Sequence, residues 1–242
     1  MKMLRQIRKV GEAVLVCLGM LFIPFLPRTW LVGLARGLGN ASFALSGKLR
    51  RIALANLDVA FGASLTADRK QAIARESFQT FALLILDLFW FSIFSGKRIP
   101  AYLRFDPSFR NYFDKAPLIV VSGHFGNWET MGLGMSQRGN APVSVAASLD
   151  NVFVDWILRR LRGNTGQGIV KRDGALRTLT KLLKEGCRVA LLMDQNTLPE
   201  EGGVFVDFFG LPVPVSKAAY ALAAWTGTEI VPVFCVLDEH GM

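Results

Sequence analysis

Histidine, cysteine and tyrosine are scarce in this chain, at 2, 3 and 3 of 242 residues. Three cysteines are neither dense nor even in number, which excludes a disulfide-stapled secreted domain. Cys17, Cys187 and Cys235 lie in apolar surroundings without CxxC pairing. They read as small buried hydrophobes in a reducing compartment. Of the two histidines, His240 is at the very end, and no cysteine lies near His124. A catalytic zinc wants three protein ligands, so a zinc site is disfavoured. Charge is also sparse, at 19% of residues against 51% hydrophobic and 11% aromatic. That balance excludes intrinsic disorder. Only one apolar run approaches spanning length, which argues against a polytopic transporter. There is no internal repeat and no low-complexity segment.

What is present is grease and positive charge, with mean hydropathy +0.34 and formal net charge +9. The charge is unevenly placed. Residues 1–193 hold 27 of the 28 Lys/Arg and 12 of the 19 acids, a net +15. Residues 194–242 hold the remaining Lys and seven acids, a net −6. A greasy, cationic body suggests an anionic lipid surface or a phosphorylated ligand. The aromatics sit in apolar runs rather than between basic residues, so no nucleic-acid partner is expected.

Lys2, Arg5, Arg8 and Lys9 precede an apolar run over 10–27. A cleaved signal peptide has that order, but no small-x-small site precedes a polar start. A spanning helix is marginal, because Glu12, Pro24 and Pro27 interrupt the run and basic residues flank both sides. A monotopic anchor over 1–30 fits best, with a buried core helix as the alternative. A second greasy stretch covers 78–94, in a helix that Thr66 caps and Asp68 supports in its first turn. It is apolar nearly all round, so it is either central in a core or in contact with lipid.

From about residue 116 strands and helices alternate. Strands are expected at 118–122, 143–147, 188–193 and 230–236, and helices at 127–138, 151–162, 174–185 and 216–226. Ser216 can cap the last helix. Gly163, Gly186 and Gly227 stand where helix-ending glycines belong. The pattern predicts an α/β fold, a mainly parallel doubly wound sheet flanked by helices, over 31–242. In such sheets ligands bind beyond the carboxyl ends of the strands.

Ser122-Gly123-His124-Phe125-Gly126-Asn127-Trp128-Glu129 follows the first strand. Asn127 can cap the next helix, leaving His124 on the loop and Glu129 in the first helical turn, from which it can reach back. A carboxylate on one imidazole nitrogen leaves the other as a base. A bare HxxxxE spacing is weak, and a satisfied structural histidine is the bland alternative. On the helix at 151–162, Asp155, Arg159 and Arg162 share one face. They form either a solvated salt-bridged face or a phosphate-binding one. Lys171, Arg172, Arg177, Lys181 and Lys184 add a basic strip.

The 122–129 block closely resembles the active-site block of the bacterial lipid A late acyltransferases. Further stretches are similar in order along the chain: Arg51-Ile52-Ala53-Leu54-Ala55-Asn56-Leu57 through Phe61; Arg159-Arg160-Leu161-Arg162 followed by Gly166; Asp194-Gln195; and Gly203 to Gly210 with Pro214-Val215-Ser216-Lys217-Ala218. The resemblance implies transfer of a fatty acyl chain from acyl carrier protein to a hydroxyl of a lipid A precursor. It implies work at the cytoplasmic face of the inner membrane, with no metal and no other cofactor. His124 would be the general base and Glu129 its orienting carboxylate. Gly126, Asn127, Arg159, Arg162, Asp194 and Gln195 would lie on the substrate side. Read alone, Asp194 looks like a residue holding the loop or an Arg. Family members run on beyond the strand at 230–236, so a short or missing C-terminal part is expected here. Other readings are a different acceptor (a phosphatidylinositol mannoside, an aminoacyl lipid or a lysophospholipid), a thioesterase-like hydrolase, and a catalytically silent membrane-associated binding protein.

Overall fold

The computed structural model describes residues 2–112, 114–147, 149–163 and 166–238; His240 lies outside them. Seven strands occur among these: β1 (Leu118–Ser122), β2 (Pro142–Ala146), β3 (Gly168–Lys171), β4 (Arg188–Leu192), β5 (Gly203–Phe208), β6 (Leu211–Ser216) and β7 (Ile230–Pro232). Five form one sheet in the order β3-β2-β4-β1-β7, and every pairing in it is parallel. β5 and β6 form a separate antiparallel hairpin. β1 is a β-branched apolar run because both its faces are covered: Leu118, Ile119 and Val120 are fully buried. Each such side chain contributes about 1.5–3 kcal/mol.

The helices are α1 (Lys2–Phe22), α2 (Arg28–Leu45), α3 (Gly47–Phe61), α4 (Ala67–Trp90), α5 (Ser95–Tyr102), α6 (Trp128–Gln137), α7 (Val152–Gly163), α8 (Ala175–Lys184) and α9 (Ala218–Thr226). Leu118 and Val120 pack with Met131 and Met135 of α6. Ile119, Val189 and Leu191 pack with Leu179 and Leu183 of α8 and with Leu222 of α9. The crossovers from β1 to β2 and from β2 to β3 run one way across the sheet, and those from β3 to β4 and β4 to β7 run back. With right-handed crossovers, α6 and α7 cover one face and α8 and α9 the other. The carboxyl ends of neighbouring β1 and β4 therefore send their chains to opposite faces. That is a topological switch point, where such sheets open a crevice.

The first five helices stack on the α6 side. Leu31 and Ala35 of α2 pack with Leu83, Leu86 and Trp90 of α4 and with Leu133 of α6. One face of the second half of α4 is thereby buried in the core, through Leu83, Leu84, Leu86, Phe89 and Trp90, while Phe81 and Ile85 on the other face are exposed. The Thr66 hydroxyl accepts from the Arg69 amide at 3.2 Å and caps α4 as expected. α1 contradicts the core-helix alternative, because none of its described residues is buried. Leu4, Leu15, Leu21 and Phe22 are each more than half exposed. No helix among the described residues is long and apolar enough to cross a membrane.

Two strand expectations change. The strand expected over 230–236 is regular only over Ile230–Pro232, although the Val233 amide still donates to the Val121 carbonyl at 2.9 Å. β3, β5 and β6 were not expected. Ser216 does not sit at the cap of α9, which is Lys217, but its hydroxyl accepts from the Ala218 amide at 3.2 Å.

Candidate active site

His124 and Asp194 meet at the switch point. The sheet zips almost to them, since the Met193 amide still donates to the Ser122 carbonyl at 2.8 Å. Asp194 grips His124 twice. Its Oδ2 accepts from the His124 backbone N–H at 2.7 Å, and its Oδ1 lies 2.9 Å from Nδ1. A carboxylate only accepts, so this pair puts the imidazole proton on Nδ1 and the lone pair on Nε2. Nε2 has no hydrogen-bond partner among the described residues. The Trp128 ring meets the imidazole edge-on at 4.7 Å and limits its rotation. The side chain is 35% exposed, open enough for a substrate group to reach. Burial alone would raise the Asp194 carboxyl. The hydrogen bonds and charge of His124 outweigh it and hold the group below the ordinary carboxylate range.

The loop takes this shape because of its glycines. Gly126 has φ +63°, and a Cβ there would sit 1.9 Å from the Cys235 carbonyl oxygen. Only glycine permits that approach. Asn127 then caps α6, its Oδ1 accepting from the Thr130 amide at 3.1 Å. Cys235 is not a competing nucleophile, because burial, helped by the charge of Asp87, pushes its thiol up to about 11.

Glu129 is engaged differently from the expected pairing with His124. It sits in the first turn of α6 and faces α7, where Arg162 binds it through two nitrogens, Nε to Oε2 at 2.9 Å and Nη2 to Oε1. Both side chains are largely buried, at 12% and 23% exposed. A buried carboxylate takes the strongest available cation, and a bidentate guanidinium outcompetes a neutral imidazole. Arg159 binds Asp155 at 2.6 Å, and Asp155 also accepts from the Leu149 amide. The Arg159 hydrogen bond is the main cause that holds Asp155 below the carboxylate norm. The two arginines thus share one face of α7, as expected, with each tied to a carboxylate.

The other expected substrate-side residues divide. Gln195 is exposed beside Asp194. Gly126 shapes the loop. Asn127 is 2% exposed and is held on both sides: its backbone N–H donates to Cys235 and its side-chain Nδ2 to Asp87 at 2.8 Å. It supports the loop from inside the protein rather than facing a substrate. Asp87 in turn pairs with Arg28 in the core. Sequence reasoning missed that pair, although Asp87 was the sole acid in the apolar stretch 78–94. No cluster of three or more His, Cys, Asp or Glu suited to a metal occurs among the described residues.

This geometry holds one polarised imidazole at the carboxyl end of β1, with two carboxylate-bound arginines on α7. It suits proton removal from a hydroxyl near an anionic group. Two curated proteins that the chain matches are phosphatidylinositol mannoside acyltransferases of Mycobacterium tuberculosis, strains H37Rv and CDC 1551. Each is 31% identical over 131 residues, 51% of this chain. The match covers 40% of those relatives' own length. The family model described as bacterial lipid A biosynthesis acyltransferase matches residues 1–242. The chain belongs to the bacterial lipid A biosynthesis acyltransferase family.

Proposed function

We propose that the protein transfers a fatty acyl chain from a thioester donor to a hydroxyl of an anionic glycolipid, with His124 as general base. The observation that carries this reading is the His124–Asp194 pair at the switch point, with Nε2 left to accept a proton. The acceptor hydroxyl donates to Nε2, loses its proton as it attacks the thioester carbonyl, and forms a tetrahedral oxyanion. Asp194 stabilises the imidazolium. Collapse breaks the C–S bond, and the proton on Nε2 passes to the departing thiolate. A thioester is already activated, so no enzyme nucleophile is required. The Asn127 backbone N–H is bonded to the Cys235 carbonyl at 2.8 Å and so is not a donor to this oxyanion. The Glu129–Arg162 and Asp155–Arg159 pairs supply preorganised guanidinium groups for an acceptor phosphate.

The proposed acceptor is a lipid A precursor and the proposed donor is acyl carrier protein. The family match supports the first. The exposed Arg177, Lys181 and Lys184 of α8 support the second, because they lie on the sheet face opposite the apolar N-terminal helices, where an acidic soluble carrier has free access. The exposed apolar faces of α1 and α2 support seating on the cytoplasmic face of the inner membrane. The name of the mycobacterial relatives favours a phosphatidylinositol mannoside as the second acceptor reading. Mass profiling of lipids from a deletion strain decides between them, because the missing acyl chain marks the acceptor. Complementation by the wild type, and failure by His124→Ala, is the expected outcome. Full rescue by His124→Ala overturns the general-base assignment.

A further inference from the structure

Asp87 is the one buried acid and Arg28 the one buried base among the described residues, at 2% and 7% exposed. Such a pair loses much of its attraction to desolvation, and apolar side chains of similar volume often fill the space as well or better. The surrounding stretch of α4 is apolar, so packing alone does not call for charge there. Arg28 lies over the Trp90 and Tyr102 rings at 5.1 and 5.8 Å, which holds the guanidinium in place. Burial pushes the Asp87 carboxyl up, against the pull of Arg28 and Asn127.

The pair has a third member. Asp87 Oδ2 accepts from Asn127 Nδ2 at 2.8 Å. A carboxylate only accepts and the Thr130 amide only donates, so together they dictate which end of the Asn127 amide faces which. The Asn127 backbone is fixed as well, through its N–H to Cys235. Asn127 lies three residues after His124 and two before Glu129. A chain of contacts therefore runs from α2 through α4 into the loop that bears the imidazole.

We propose that the Arg28–Asp87 pair is a positioning device for the active site: it orients Asn127, and through Asn127 it keeps His124 seated on Asp194. This rests on the general-base reading above only where turnover is the readout.

The test replaces the pair by apolar residues, Arg28→Met with Asp87→Leu, which removes the acceptor for Asn127 without leaving a lone buried charge. A second variant, Asn127→Ser, keeps a capping oxygen and the ion pair but cuts the link between them. Both are compared with wild type by thermal unfolding, by kcat and KM for acyl transfer, and by imidazole 15N shifts in a His240→Gln background, where His124 is the single histidine. Wild type is expected to show one tautomer, protonated at Nδ1. Both variants are expected to fold, to show mixed tautomers, and to lose about 10–100-fold in kcat with KM nearly unchanged, as a small misplacement of a reacting group costs. A folded variant that keeps the single tautomer overturns the proposal, whatever its kcat. If the double variant does not fold, Asn127→Ser decides alone. If wild type transfers no acyl chain, the function reading falls and the tautomer measurement still decides this inference.

Discussion

The strand-end site and the N-terminal helical layer satisfy their side chains in opposite ways. Around the switch point His124, Glu129, Arg159 and Arg162 each have a named partner within the chain. On α1 and the start of α2, large apolar side chains such as Leu15, Phe22 and Trp30 are more than half exposed. The first region pairs its polar groups internally, and the second leaves its apolar groups uncovered. On the function proposed above, chemistry and membrane seating would fall to separate parts of the molecule, and each should break without the other.

The largest expected effect is on chemistry. His124→Ala should lower kcat by about 10²–10⁴-fold while the melting temperature holds, since the side chain is part-exposed. A comparable loss of stability would show that His124 is a structural residue. Asp194→Asn should cost nearly as much, about 10²–10³-fold, because an amide no longer enforces the Nδ1 tautomer. Its stability cost has a pH signature. The folded-state pKa of Asp194 is lowered, so the stability it contributes is present above the ordinary aspartate pKa of about 3.9. That contribution is lost as pH falls through the lowered value. Melts of wild type and Asp194→Asn should therefore converge as pH drops below about 4. A gap that stays constant would sever the link to ionisation.

Glu129→Gln should act on stability more than on tautomer. It removes the counter-charge of a largely buried Arg162, at about 1–3 kcal/mol read from denaturant midpoints. If this variant instead mixed the tautomers of His124, the assignment of Asp194 as the orienting carboxylate would fall. Leu15→Glu with Phe22→Glu should change stability within about 0.5 kcal/mol, as exposed positions do. The same pair should abolish sedimentation with anionic vesicles and spare turnover of a soluble thioester donor. A large drop in melting temperature would instead make α1 part of the core. The smallest effect is expected from Lys181→Glu with Lys184→Glu. Carrier association should slow by a few-fold at low salt, and the difference should vanish at high ionic strength.

Much of this was readable in the chain. β1, β2 and β4 are apolar β-branched runs, and α6 to α9 carry helix periodicity with turn residues at their ends. β3 was hidden because Gly168-Ile169-Val170-Lys171 is a short, half-exposed edge strand without the apolar length of its neighbours. β6 was hidden because Pro212 and Pro214 look hostile to a strand, yet each strand of a two-stranded ribbon keeps an unpaired edge that tolerates them. The site was half readable. His124 stood out by its place after a strand. Its partner did not, because local spacing favours Glu129 whereas the actual carboxylate lies 70 residues on. Asp194 follows β4 as His124 follows β1. The clue was present, but only the strand order makes β1 and β4 neighbours.

The Gly126 contact with Cys235 has a consequence for the order of assembly. The loop that bears His124 closes only when residues 230–237 dock: Val233 on β1, Cys235 on Gly126 and Asn127, Leu237 on the helical core. The contacts to β1 and the loop join residues roughly 110 positions apart, and the entropy of closing such a loop is met before the contacts repay it. A nascent chain can build α2 against α4, and can bury the carboxylate of Asp87, well before it has a working imidazole. Catalytic competence should therefore arrive as one of the last folding events, so that immature chains are inert rather than half-active.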